Sequence, residues 1–443
     1  MRCLMPVAAI ALVLGGALIG APLAEPILGE RGVLPAGTDF GEPALVVPRQ
    51  VLSVERLGSE QSFLIALGNM AFSSPGIMGG LAKRAGISCA TCHVSGANNP
   101  DFFLPGHSSR PGNIDVTGPD FNPKADDGLF NPLDIPSLFG IKHTAPYGRD
   151  GRLASLREFT RNVILHEFAG PEPDPLVLDA LVIYMQQFEF LPNPKLDSLG
   201  RLTAAASAAA RRGEALFRRP FAGLDGMSCS SCHVPSAAFI DGRAHDVGTG
   251  AAYDTPTLLG IGFTAPYFHD GRAATLTEVV ARFDEVFGLD LDDGERADLV
   301  AYLEAVGDGE QPFVPKDLAF DMAELAIFAG LLEITLADRD PVLTRLVVDT
   351  VNAELREVGE RWYRAEDRRI RGRIAGWAVQ LRRVDTHASE GTWAEAQAAL
   401  ATYRAMIDAD LPSVVAAEGR SLYQPEVLAI YREARRRLAN AAK

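Results

Sequence analysis

Cysteine is scarce in this chain of 443 residues: there are five, and four of them fall in two short runs of one pattern, which leaves no pair over for a disulfide. Tryptophan is absent before Trp362, and no methionine occurs between Met227 and Met322. Long apolar runs are missing beyond the N-terminus. After Leu4–Leu18 nothing approaches the roughly 18 apolar residues that a spanning helix needs, so no later membrane span is expected. Basic residues are outnumbered 42 to 57, and a net charge of −15 argues against nucleic acid as a partner.

What remains is globular in composition, 47% hydrophobic and 22% charged, and long enough for two or three domains. Residues 1–24 carry Arg2, the apolar run and then small residues around Gly20–Ala24, the layout of a cleaved secretory signal with Ala24/Glu25 as a reasonable cleavage point. Cys3 lies in the charged leader and not at its end, so it is not read as a lipidation site. Removal of the leader leaves 41 basic against 57 acidic residues, about −16, a surface suited to steering a basic partner. Export to the periplasm is the expectation.

Cys89-Ala90-Thr91-Cys92-His93 has the form of a c-type haem attachment site, two thioether anchors and an axial imidazole, and Cys229-Ser230-Ser231-Cys232-His233 repeats it. Two cysteines three apart on one helical turn can each reach a vinyl carbon, and the next residue can turn its ring nitrogen to the iron. A tetrahedral zinc site would need further closely spaced Cys or His ligands. Two covalently bound haem c groups are therefore expected, which also fits export.

The chain repeats around these sites. Residues 135–158, with Thr144-Ala145-Pro146-Tyr147-Gly148-Arg149-Asp150-Gly151-Arg152, align with residues 255–278, with Thr264-Ala265-Pro266-Tyr267-Phe268-His269-Asp270-Gly271-Arg272. Each copy continues into a helix with a capping-box start at Ser155 or Thr275, then into an amphipathic closing helix, Pro175–Phe188 or Asp293–Val306. Opening helices are expected at Ser62–Phe72 and Ala204–Phe217, and the Gly/Pro-rich span from Ser95 to about Asn131 reads as a long functional loop. The divisions that follow are an extended lead-in (25–60), a first module (61–195), a second (196–314) and a helical C-terminal domain (315–443). In the last, Ala319–Leu336, Pro341–Ala365, Arg369–Val384, Thr392–Ile407 and Gln424–Ala442 have helical patterns, and the three tryptophans suit core packing. The domain reads as a structural or docking appendage.

With both C-x-x-C-H sites and the paired turns in view, residues ~60–312 resemble the bacterial di-haem cytochrome c peroxidase family, which includes the MauG-like oxidases. The resemblance implies a mostly α fold of two cytochrome-c-like haem modules, here with a C-terminal helical domain, in which His93 and His233 are proximal iron ligands. It makes His107, fourteen residues after His93, the displaceable distal ligand, and Glu158, eight after Asp150, the catalytic acid, with Arg152 helping to stabilise developing charge. A capping role competes for Glu158, and an ordinary loop histidine for His107. The resemblance also implies one calcium between the modules, held by Asn113 and by the carbonyls of Thr264 and Pro266.

The sequence departs from the family in two respects. Phe283 stands where the second haem would find methionine or tyrosine, so that iron is five-coordinate or takes a histidine, His245 or His269. The aromatic bridge between the haems has no tryptophan to form it; Phe139, Tyr147 and Tyr267 are candidates better suited to packing. The leading expectation is reduction of hydrogen peroxide with electrons from a small donor protein, a cytochrome c or cupredoxin. A MauG-like oxidase acting on a protein or organic substrate and a non-enzymatic electron carrier are the rivals, and a homodimer is left open.

Overall fold

The computed structural model describes residues 34–35, 37–41, 46–48, 63–309 and 313–441. The proposed leader lies outside the described residues, as does most of the lead-in, of which residues 34–35, 37–41 and the strand β1 (Val46–Pro48) are described. Helices dominate.

In the first module α1 (Phe63–Phe72) ends where Ser74 turns the chain, its Oγ accepting from the Gly76 N–H (3.1 Å). Next come α2 (Gly80–Ala85), stopped by Gly86 at φ 74°, and α3 (Cys89–Cys92), a single turn held by reciprocal Ser88 and Thr91 bonds. A long loop contains β2 (Asn113–Ile114), which pairs antiparallel with β3 (Leu133–Asp134). Ser155 then caps α4 (Leu156–Asn162), which runs on into a π-helical turn, Val163–Glu167. The closing helix α5 (Pro175–Met185) starts at Asp174, with proline in its first turn, where a missing N–H costs nothing.

The second module repeats the plan with α6 (Ala208–Phe217), α7 (Cys229–Cys232), the hairpin β4 (Ala244–His245) and β5 (Tyr253–Asp254), α8 (Leu276–Phe287) and α9 (Asp293–Val306). Opening and closing helices cross in the same manner in both modules. A Cβ on Gly68 would stand 2.1 Å from the Ala180 carbonyl, and one on Gly213 only 1.9 Å from that of Asp298. Glycine at these points lets the backbones touch, and the pairs Phe72–Tyr184 (5.4 Å) and Phe217–Tyr302 (4.8 Å) fill the space beside each crossing.

Beyond β6 (Phe313–Pro315), which pairs antiparallel with β1, lie α10 (Leu318–Ala337), α11 (Pro341–Glu360), α12 (Arg368–Ser389), α13 (Trp393–Val415) and α14 (Pro425–Ala441). Trp362 and Trp377 are fully buried and Trp393 packs on the same core. The helix ends differ from those expected: the second long helix stops at Glu360, the third runs on to Ser389, and the fourth does not stop at Ile407 but continues through Pro412 to Val415. The core of the bundle takes in Leu67, Met70 and Ala180 of the first module, and Thr350 Oγ1 donates to Ser74 Oγ (2.7 Å).

Candidate haem sites and the joint between them

Both C-x-x-C-H runs adopt one geometry. The cysteines occupy the two ends of a single helical turn, and the histidine is its C-cap. His93 Nδ1–H donates to the Pro136 carbonyl (2.9 Å), and His233 Nδ1–H donates to that of Phe239 (3.1 Å), with the Pro256 carbonyl, the repeat equivalent of Pro136, also acting on the ring. With Nδ1 used in this way, Nε2 is the atom each ring offers to a metal, as in ligating histidines generally. Burial pushes His93 down to about 4, against the opposing pull of Pro136, so the ring is held neutral and ready to ligate. The cysteines are free thiols. Burial raises Cys89 and Cys92 to about 12 and Cys229 to about 11. These residues fit a haem bound through two thioethers and one imidazole at each site.

The remaining candidates separate. His107, its side chain 12% exposed, packs edge-on against Phe121 (5.0 Å) with Nε2 3.3 Å from Asp120 Oδ2. His245 Nε2–H donates to Asp241 Oδ2 (2.7 Å), and both lie beside Cys232, the three ligand atoms within 4.8 Å of one another. The Nε2 that a distal ligand would use is therefore spent on a carboxylate, and the resulting Cys-Asp-His cluster competes with a thioether for the same sulfur. His269 instead stacks on Tyr253 (4.0 Å) at the joint between modules. Phe283 lies in a layer of rings with Phe268 (6.0 Å) and Phe287 (5.8 Å).

Of the expected calcium ligands, Asn113 Oδ1 accepts the N–H groups of Ser109 (3.0 Å) and Arg110 (3.2 Å), and Thr264 caps a short turn. Glu158 is exposed, and its N–H donates to Ser155 Oγ (3.3 Å), the capping arrangement. Arg152 donates to Glu167 Oε1 (2.6 Å) and lies over the Phe159 ring (5.4 Å). Glu167 is the acid that sequence reading missed: burial raises its carboxyl even against the Arg152 charge, and it closes the π-helical turn, a feature with no periodic signature.

Between the modules the repeat is exchanged. Asp134 N–H of β3 donates to the His269 carbonyl (2.8 Å), and Asp254 N–H of β5 donates to the Arg149 carbonyl (2.8 Å). Gly271 backs onto Asp134 and Gly151 onto Asp254, each with 3.4 Å between a would-be Cβ and the carboxylate. Arg110 adds a bond to the Gly271 carbonyl.

Residues 207–303 match the family model described as di-haem cytochrome c peroxidase. Over these residues the chain is similar to the di-haem cytochrome c peroxidases. It is 23% identical over 326 residues to a cytochrome c551 peroxidase of Nitrosomonas europaea, covering 63% of this chain and 90% of that one. Over 70 residues, 15% of each chain, it is 39% identical to the cytochrome c peroxidase Ccp of Escherichia coli K12. The gamma subunit of hydrazine synthase from Kuenenia stuttgartiensis is 29% identical over 190 residues, 31% of this chain and 51% of the subunit. The chain thus spans about half of the last and a small part of the E. coli peroxidase. Among the described residues no helix is long and apolar enough to cross a membrane.

Proposed function

We propose that the protein is a periplasmic di-haem oxidoreductase that reduces hydrogen peroxide with electrons from a small basic donor protein. The observation that carries this reading is the pair of matched C-x-x-C-H turns, each with its histidine Nδ1 bonded to a carbonyl. When bound, haem supplies the redox chemistry, and the protein sets ligation, access and charge. His93 and His233 would hold the irons. Around the first, Glu158 is the candidate acid that moves a proton during cleavage of the peroxide bond, with Arg152 and Glu167 as a neighbouring charge pair. His107 is the candidate distal ligand, poised against Asp120 on the long loop. At the second site Phe283, Phe268 and Phe287 form an apolar layer that offers no thioether.

A second reading, an oxidase acting on a bound substrate, is favoured by the helical bundle, which lies outside residues ~60–312 and shares its core with the first module. The two are separated by steady-state turnover of peroxide with a reduced basic cytochrome. Turnover that saturates in both reactants, and falls as ionic strength rises, supports the peroxidase. Protein carrying both haems but inert to peroxide with such donors would remove it.

A further inference from the structure

The chain is acidic as a whole, yet arginine gathers at one end of the helical bundle. Residues 361–373 and α14 together hold ten arginines against four carboxylates, while the rest of the chain holds 32 basic against 53 acidic residues. The fold brings the two stretches together. Tyr363 packs on Tyr431 of α14 (5.0 Å), Arg364 lies over the Tyr363 ring (5.7 Å), and the Leu422 N–H donates to the Arg361 carbonyl (2.9 Å). Arg420 Nε donates to Asp367, the residue before α12 (3.1 Å).

Part of this charge is used internally. Arg361 is buried, Arg371 donates to the carbonyls of Trp362 and Arg364, and Arg373 pairs with Asp410. Arg364 is half-exposed, and Arg368, Arg369, Arg420, Arg432 and Arg437 are exposed. The nearest carboxylates hold two of them loosely, Glu366 at 3.8 Å from Arg364 and Asp101 at 3.8 Å from Arg432, and such pairs contribute little at a wet surface. Arg368 and Arg369 have no carboxylate within ion-pair distance among the described residues, although they open α12, where the helix dipole disfavours a cation. Stability of the fold does not account for that placement; an anionic partner does.

The residues among the arginines narrow the partner. On α14 Val427 turns inward and Ile430 is 58% exposed, and Tyr363 beside it is 38% exposed. A basic helix with exposed aliphatic and aromatic side chains has the pattern of helices that lie in the headgroup layer of a bilayer. A bilayer plane also meets both stretches at once, and its charge keeps the acidic remainder of the molecule turned away. An acidic protein would answer the arginines but leave Ile430 without a role.

We infer that this end of the bundle docks on an anionic phospholipid bilayer, with the arginines at the phosphates and Tyr363 and Ile430 at headgroup level. The inference rests on neither haem nor peroxide reduction, so its test stands if that reading fails. The exported protein is sedimented with vesicles of equal parts phosphatidylcholine and phosphatidylglycerol, and with vesicles of phosphatidylcholine alone. Native protein goes down with the anionic vesicles, stays in solution with the neutral ones, and is released by salt.

Changing Arg364, Arg368 and Arg369 together to Gln lowers partition to the anionic vesicles by roughly 100-fold, with helicity unchanged. The same loss of charge elsewhere, with Arg218, Arg345 and Arg404 changed to Gln, leaves partition at the native level. If the first variant fails to fold, Arg432→Gln combined with Arg437→Gln takes its place, with a fall of roughly 30-fold. Equal partition to both vesicles, or equal partition of native and patch variants, overturns the inference. Native protein that ignores the vesicles but forms a salt-sensitive oligomer, dispersed by the same substitutions, overturns it in favour of a second, acidic copy of the chain.

Discussion

Two carboxyl groups near the first site differ in what surrounds them, and that difference decides what each can do. Glu158 is exposed at a helix start, free to swing but already engaged through its backbone. Glu167 is half-buried and paired with Arg152, its proton affinity raised by loss of water. If Glu158 moves the proton, Glu158→Gln should keep haem content and helicity while peroxide turnover falls at least about tenfold, the low end of acid–base contributions after rescue by water. A rate equal to the native one in that variant would pass the role to Glu167. Asp134 supports a separate prediction. Burial raises its carboxyl to about 7, in spite of Arg149 and Arg110. The folded protein then holds this proton more tightly than the unfolded chain, so its contribution to stability is full below the ordinary value of 3.8 and is lost as pH rises through about 7. Asp134→Asn should flatten the fall in denaturant midpoint between those limits; an unchanged slope would mean that the group titrates normally.

The elements legible in the sequence were those written in local code. Ser155 and Thr275 announce helix starts, and the expected closing helix Asp293–Val306 is found with those bounds. Hidden from it were features made by distant partners: the pairing of Val46–Pro48 with Phe313–Pro315, the exchange of turns between modules, and the core shared by α1, α5 and the C-terminal bundle. The fourth helix of the bundle passes the expected end at Ile407 and keeps its turn around Pro412. The site was readable in the same proportion. Both C-x-x-C-H turns could be named by residue, but Glu167 and the partners that occupy His245 and Asn113 could not, since each depends on a fold-level contact. The helix crossings carry a prediction at this scale. Gly213→Ala forces a methyl group against the Asp298 carbonyl, and should destabilise the second module by about 1–3 kcal/mol, the usual cost of overpacking. Thermal unfolding at a native midpoint would show that α6 and α9 can separate at no cost.

At the scale of the molecule, two modules of one plan face each other through exchanged turns, and a helical bundle braces the first of them from outside the repeat. The acidic balance of the chain, 57 acidic against 42 basic residues, would suit the basic donor of the proposed reaction. The proposed reaction depends on haem held at the C-x-x-C-H turns. The most direct test is the intact mass of the denatured, exported protein, read together with its haemochrome absorbance. Covalent attachment at Cys89 and Cys92 and at Cys229 and Cys232 predicts a mass increase equal to two haems that survives acid and organic solvent, and that drops to one when either cysteine pair is changed to alanine. A chain with no retained haem, or one that carries a metal at Cys232, Asp241 and His245 in place of the second haem, would contradict it.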